Sequence, residues 1–201
     1  MIGTTSTTPP AKSAGGDAPA QRAHWERRFV FLRALRHEDW PRYADFRARI
    51  ELRRVNEHAC GLLPKAVDVA SGGARGDGLV IGALLDDAAG SLLGVARAVR
   101  QPGKDAARVA LVLRPDIEGR GLGRLLMGKL VNDCCALGFV ELVGETPADN
   151  RPMIALARAY RFAVRASEIP GLLSLRLDLA EAFKSSGTTR AHAAHSPFRV
   201  H

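Results

Sequence analysis

The feature that most constrains this chain is the join between residues 109–113 and 122–137. Val109, Ala110, Leu111, Val112 and Leu113 are apolar at every position, as a strand buried on both faces requires. Leu122, Leu126, Leu130, Cys134 and Leu137 recur at spacings of four and three, which places them on one face of a helix. Between the two runs the sequence Arg-Pro-Asp-Ile-Glu-Gly-Arg-Gly-Leu-Gly-Arg, residues 114–124. Gly119, Gly121 and Gly123 let the backbone approach a ligand and take positive φ. The first N–H groups of the helix have no intrahelical partner, and the helix dipole adds to their pull on an anion. Arg120 and Arg124 supply further positive charge. A strand, a glycine loop and a helix start in this order predict a phosphate or pyrophosphate site.

Two common phosphate loops do not fit. A dinucleotide fingerprint needs G-x-G-x-x-G, whereas Gly119, Gly121 and Gly123 give G-x-G-x-G and Arg124 stands at the last required glycine. Residues 123–129 match the first seven positions of a Walker A loop, but Leu130 follows Lys129 where Ser or Thr is required. That stretch also lies inside the amphipathic helix, where no loop can form.

The rest of the chain alternates strands and helices. Residues 29–35 and 79–85 read as strands, and a turn at 86–91 makes 92–99 an antiparallel partner. Residues 38–54 are helical in composition, and 71–78 form a glycine-rich turn. Gly138 ends the helix begun at Leu122, residues 139–143 form the next strand, and Asp149 or Asn150 caps a second helix with Pro152 in its first turn. Leu173, Leu175, Leu177 and Leu179 alternate with polar residues, as in a half-buried strand. The predicted order is β-α-β-β-β-α-β-α-β. The 201 residues suit one domain at 25–180, between low-complexity tails at 1–24 and 181–201 that are expected to be disordered.

Composition narrows the functional classes. Apolar and charged fractions of 46% and 25% are those of a soluble globular protein, and no apolar run is long enough to span a bilayer. The first residues lack a secretory h-region, so a cytoplasmic protein is expected. Cys60, Cys134 and Cys135 are read as reduced packing residues, and His192, His195 and His201 are too irregularly spaced for a metal site, so no metal is expected. The formal charge is +8, and residues 22–54 hold ten arginines against five acids. Such a surface can attract nucleic acid, but no nucleic-acid motif accompanies it, and a solvated helical face is the preferred reading.

Glu-Gly-Arg-Gly-Leu-Gly at 118–123 resembles the Gln/Arg-x-x-Gly-x-Gly/Ala pyrophosphate motif of the GNAT acetyltransferase superfamily. Arg-Pro-Asp before it, Leu-Leu-Met at 125–127, residues 139–145, and Asn-Arg-Pro-Met-Ile-Ala-Leu-Ala-Arg at 150–158 have counterparts in the same order. The resemblance covers residues 79–165 well and the start at Phe29 more weakly. Its wording is most similar to bacterial protein-lysine acetyltransferase-type domains. The resemblance implies an α/β (α+β) GNAT fold: a mixed, mostly antiparallel sheet, helices on both faces, and a central strand pair that splays apart around pantetheine. It implies acetyl-CoA as co-substrate, an amine acceptor (a protein lysine or a small molecule), no membrane, and a possible homodimer. Backbone groups at Val112, Leu113 and Arg114 would bind pantetheine. Gly119, Arg120, Gly121, Leu122, Gly123 and Arg124 would hold the pyrophosphate, and Asn150 matches the asparagine beside the pantetheine arm.

The sequence also departs from that pattern. Arg108 stands where many relatives have a glutamate base, and an arginine cannot deprotonate an ammonium at neutral pH. Ala157 occupies the position of a frequent tyrosine acid, Arg161 that of a glycine, and Glu118 that of the motif's first Gln or Arg. Glu145, at the end of the second central strand, is the candidate base, with Glu141 and Asp149 as further carboxylates nearby. Tyr160 is the other catalytic candidate. The expected reaction is direct attack of an amine on the thioester, with proton removal and orientation supplying the rate. The alternatives are a GNAT-fold module that binds acyl-CoA or a partner without turnover, and a nucleic-acid-binding protein that uses the basic cluster.

Overall fold

The computed structural model describes residues 19–51 and 78–184. The predicted turn at 71–78 (save Gly78), Cys60, the tail histidines, and most of both predicted tails lie outside the described residues. The strands are β1 (Gln21–Trp25), β2 (Arg28–Ala34), β3 (Gly78–Leu85), β4 (Leu92–Arg100), β5 (Ala106–Leu113), β6 (Glu141–Pro147), β7 (Ala163–Ala166) and β8 (Leu172–Asp178). The helices are α1 (Trp40–Glu51), α2 (Leu122–Ala136), α3 (Arg151–Ala159) and α4 (Leu179–Lys184). One eight-stranded sheet has the order β1-β2-β3-β4-β5-β6-β8-β7. Every neighbouring pair is antiparallel except β5 and β6.

Two cores cover the two faces of the sheet. On one face α1 buries Tyr43, Phe46 and Ile50 against Leu35, Val80, Val95 and Val112. On the other, α2 lays Leu122, Leu126, Leu130 and Cys134 over Ile81, Ala83, Ala96 and Val109. These α2 residues are the ones the helical spacing selected. Gly94 lets α2 approach the sheet: a Cβ there would stand 2.5 Å from Leu113 Cδ2 and 2.9 Å from Leu126 Cδ1. Gly138, at φ 80°, ends α2 in the left-handed conformation that glycine adopts without strain. Asn150 caps α3, its side-chain oxygen accepting from the Met153 N–H at 3.1 Å.

The structure adds two strands to the predicted order. β1 lies largely in the stretch expected to be tail. Its residues show no apolar period, and they are held by pairing with β2, by burial of Trp25, and by Arg22, which reaches Asp86 at 2.8 Å and stacks 3.8 Å over Phe29. The β1–β2 turn runs through Glu26 and Arg27 at φ 44° and 63°, without the Asn-Gly or Asp-Gly signature of a two-residue hairpin. β7 is a four-residue edge strand on β8 with only one half-buried aliphatic side chain, Val164, so no alternation marks it.

Half of the ten arginines in the basic cluster are paired within the fold. Arg22, Arg33, Arg36, Arg42 and Arg49 each reach an acidic partner. The centre of this network is Asp39, fully buried, which accepts from Arg33 at 2.6 and 2.8 Å and from the Arg36 N–H at 2.8 Å. Burial penalises the charge of Asp39, but the hydrogen bonds from Arg33 and Arg36 outweigh it and hold the carboxyl below its usual range. Asp39→Ala is therefore expected to destabilise the domain by about 3 kcal/mol, read from urea unfolding, because it strands a partly buried guanidinium. The stabilisation from Asp39 is present above the ordinary carboxylate pKa and is lost as pH falls through the lowered folded value.

Candidate functional site

The site grows from the one parallel pair in the sheet. β5 and β6 pair through Ala106, Ala107 and Arg108 with Glu141, Leu142 and Val143. Beyond Arg108 and Val143 no further register pair joins the two strands among the described residues, so residues 109–113 and 144–147 diverge. This is the splayed central pair. Gly144 sits where the strands part: a Cβ there would stand 3.3 Å from the Val109 carbonyl oxygen. The outer edges stay bonded, β5 to β4 as far as Leu113 and β6 to β8 as far as Pro147.

A cavity of about 540 Å³ opens on the α2–α3 side of the splay. Leu111, Val112 and Leu113 form its floor; Glu118, Gly119, Gly121, Gly123 and Arg124 form one wall. Asn150, Pro152, Met153, Ala155, Leu156 and Ala159 of the α3 segment form the other wall. An apolar trough that ends at a helix N-terminus suits a ligand with a neutral arm and an anionic head. The loop is built for close approach. Gly119 and Gly121 take φ of 76° and 85°, and a Cβ on either would meet nothing within 4 Å. Gly121 is the N-cap of α2, and no side chain caps the helix there. The first amides of α2 are thus not consumed by a side chain.

Of the residues expected to hold the cofactor, Val112, Leu113, Gly119, Gly121, Gly123, Arg124 and Asn150 line this cavity. Arg114, Arg120 and Leu122 do not. The Arg114 guanidinium is turned onto Asp116, at 2.6 and 3.0 Å. The Arg120 side chain pairs with Glu26 at 3.2 Å, and the Leu122 side chain is fully buried in the core. The α3 wall was only half legible in the sequence. Met153 and Leu156 line it beside Pro152, Ala155 and Ala159, which form a face of small side chains at spacings of three and four, the signal that could have found it.

The catalytic candidates are placed differently from each other. Glu145 lies on β6, two residues past the last β5–β6 pair, with its side chain 22% exposed. Its carboxylate stands 3.7 Å from Arg108 and accepts from the Ser167 hydroxyl at 3.3 Å. Arg108 thus faces a glutamate on the adjacent strand. Glu141 pairs with Arg176, away from the splayed segment. Tyr160 is buried and lies outside the cavity lining, its hydroxyl donating to the Arg124 carbonyl at 2.6 Å. Burial pushes its phenol pKa up. A Cβ on Gly128 would stand 2.8 Å from that hydroxyl, so Tyr160 clasps α3 to α2 through a gap that only glycine leaves. Cys134 is buried and its thiol is pushed up by desolvation, the opposite of an activated nucleophile.

A splayed mixed sheet with a glycine loop at a helix start defines an acyltransferase-type cleft. The chain belongs to the acetyltransferase (GNAT) family, whose pattern matches residues 29–162. Solved structures agree with that fold. The GNAT domain of S. lividans PAT superposes with a TM-score of 0.63 at 17% identity, over 79% of this chain and 96% of that one. Mycobacterium smegmatis RimJ, solved in complex with CoA-disulfide, gives 0.58 at 14% identity, over 84% and 94%. The Escherichia coli ribosomal-protein-S18-alanine N-acetyltransferase gives 0.53 at 22% identity, over 75% and 94%.

Proposed function

We propose that this protein transfers an acetyl group from acetyl-CoA to a primary amine, on a protein lysine or a small molecule, by direct attack on the thioester. The observation that carries this reading is the apolar cavity between the splayed end of β5 and the α3 wall, closed at one end by the uncapped start of α2. Residues 111–113 and the α3 wall suit the pantetheine arm, and the loop from Gly119 to Arg124 suits the pyrophosphate. The protein's contribution would be mainly orientation, with the acetyl end held at the divergence of β5 and β6.

In this reading Glu145 is the base. It is a partly buried carboxylate beside the divergence, and it takes over the task that Arg108 cannot perform. Arg108 and Ser167 orient it. Tyr160 is a positioning residue here: its proton is held by the Arg124 carbonyl, so it secures the loop end of α2 instead of protonating a leaving group. The alternative, a binding module without turnover, draws its support from the same Arg108–Glu145 contact, which occupies the candidate base.

Calorimetric titration with acetyl-CoA, CoA and ATP, followed by an amine panel, tests the proposal. Saturable binding of acetyl-CoA and CoA but not ATP, with acetylation of an amine, is the expected result. Binding without turnover on any amine would favour the binding module, and no binding would remove both readings. Glu118 adds a signature to this titration. Burial raises its carboxyl pKa, and it lines the same cavity as the anion-ready loop. An anionic ligand would favour the protonated form, so CoA affinity should fall as pH rises through that raised pKa. Glu118→Gln should tighten CoA binding by roughly fivefold at neutral pH, about 1 kcal/mol, and flatten the pH dependence.

A further inference from the structure

The β1–β2 hairpin turn and the glycine loop meet at one end of the sheet. β5 ends there at Leu113, and the successive antiparallel pairs bring the end of β3, the start of β2 and the end of β1 to the same edge. Two contacts join the hairpin to the loop. The Trp25 indole N–H donates to the Arg120 carbonyl at 2.8 Å, and Glu26 pairs with the Arg120 guanidinium at 3.2 Å. Trp25 is 7% exposed and belongs to the main core, so its ring is a fixed anchor.

In a trans peptide the C=O and the following N–H point in opposite directions. Fixing the Arg120 carbonyl toward Trp25 therefore aims the Gly121 N–H away from the hairpin. Gly121 lines the cavity and caps α2. The loop has little else to hold this peptide, because the glycines on either side of Arg120 carry no side chain and their Cβ positions meet nothing within 4 Å. Glu26 meanwhile draws the Arg120 side chain to the hairpin, consistent with its place outside the cavity lining. Trp25 and Glu26 also precede the span, residues 29–162, that matches the family pattern.

We propose that Trp25 is a positioning residue for the pyrophosphate site: its indole N–H locks the Arg120–Gly121 peptide so that the Gly121 amide is pre-aimed at the ligand's anionic head. The proposal rests on the acyl-CoA reading above. It predicts a defect specific to donors that carry the pyrophosphate. Trp25→Phe keeps an aromatic anchor and removes the donor. It should raise KM for acetyl-CoA roughly tenfold with kcat within about twofold, and leave KM for S-acetylpantetheine, which lacks the pyrophosphate, unchanged. The S-acetylpantetheine reaction also reports that the variant is folded. Unchanged KM for acetyl-CoA, or equal losses with both donors, would overturn the latch. If the wild-type protein binds no acetyl-CoA, it is the acyl-CoA reading that fails. Amide exchange at Gly121 then judges the lock itself: faster exchange in Trp25→Phe supports it, and no change overturns it.

Discussion

Gly121→Asp is expected to abolish acetyl-CoA binding while leaving a folded domain. The site explains both halves of that result. Gly121 holds φ at 85°, where a side chain costs about 1–2 kcal/mol, and the space around a Cβ is open, so nothing has to move to admit it. Aspartate is among the residues that tolerate this conformation best. The new carboxylate would stand at the N-cap of α2, at the mouth of the cavity. It would compete with the ligand for the free amides there and repel its phosphates. One like-charge contact near 4 Å at an effective dielectric of about 20 is worth about 4 kcal/mol, so affinity should drop by more than about 100-fold. Calorimetry gives the affinity and circular dichroism the fold. Affinity within a few-fold of wild type would show that the loop does not hold the pyrophosphate.

Glu145→Gln should lower turnover by about 10²- to 10⁴-fold with acetyl-CoA affinity unchanged, as loss of a general base does. The substitution is close to isosteric, and the amide can still accept from Ser167. Glu145 does not line the cofactor cavity, so binding and chemistry should separate. Steady-state kinetics with direct titration of acetyl-CoA makes the measurement. Full activity in Glu145→Gln would leave amine activation to the solvent or to the acceptor itself. A matched loss in affinity would mean that the substitution had disturbed the β5–β6 divergence instead of the proton transfer.

The elements that carry the site were legible in the sequence for identifiable reasons. β5 shows as an unbroken apolar run because it is covered on both faces. α2 shows as a four-and-three repeat because that face lies on the sheet, although Leu125, Met127 and Val131 outside the repeat are buried as well. The cap at Asn150 and the stop at Gly138 follow from local hydrogen bonding and φ, which depend on few neighbours. β1 escaped because its strand state comes from pairing with β2 and from Trp25, and neither leaves a period in the sequence. In the loop, Gly119 and Gly121 take the positive φ expected of the three glycines, whereas Gly123 lies inside α2 without it. Arg120 looks like a phosphate ligand in a list of residues, yet its side chain is taken by an acid close in space, Glu26.

The sequence by itself determined the strand–loop–helix unit, its glycines and the family to which the chain belongs. These depend on periodicity and on backbone freedom, which are properties of short segments. Only the tertiary structure decided how the basic residues are spent, that Arg108 faces Glu145 across β5 and β6, that the Tyr160 proton belongs to the Arg124 carbonyl, and that Trp25 reaches the loop. The last three are contacts between residues 36 to 95 positions apart in the chain. Their partners are chosen by sheet order and by the end of the sheet at which each strand finishes, so no local pattern encodes them.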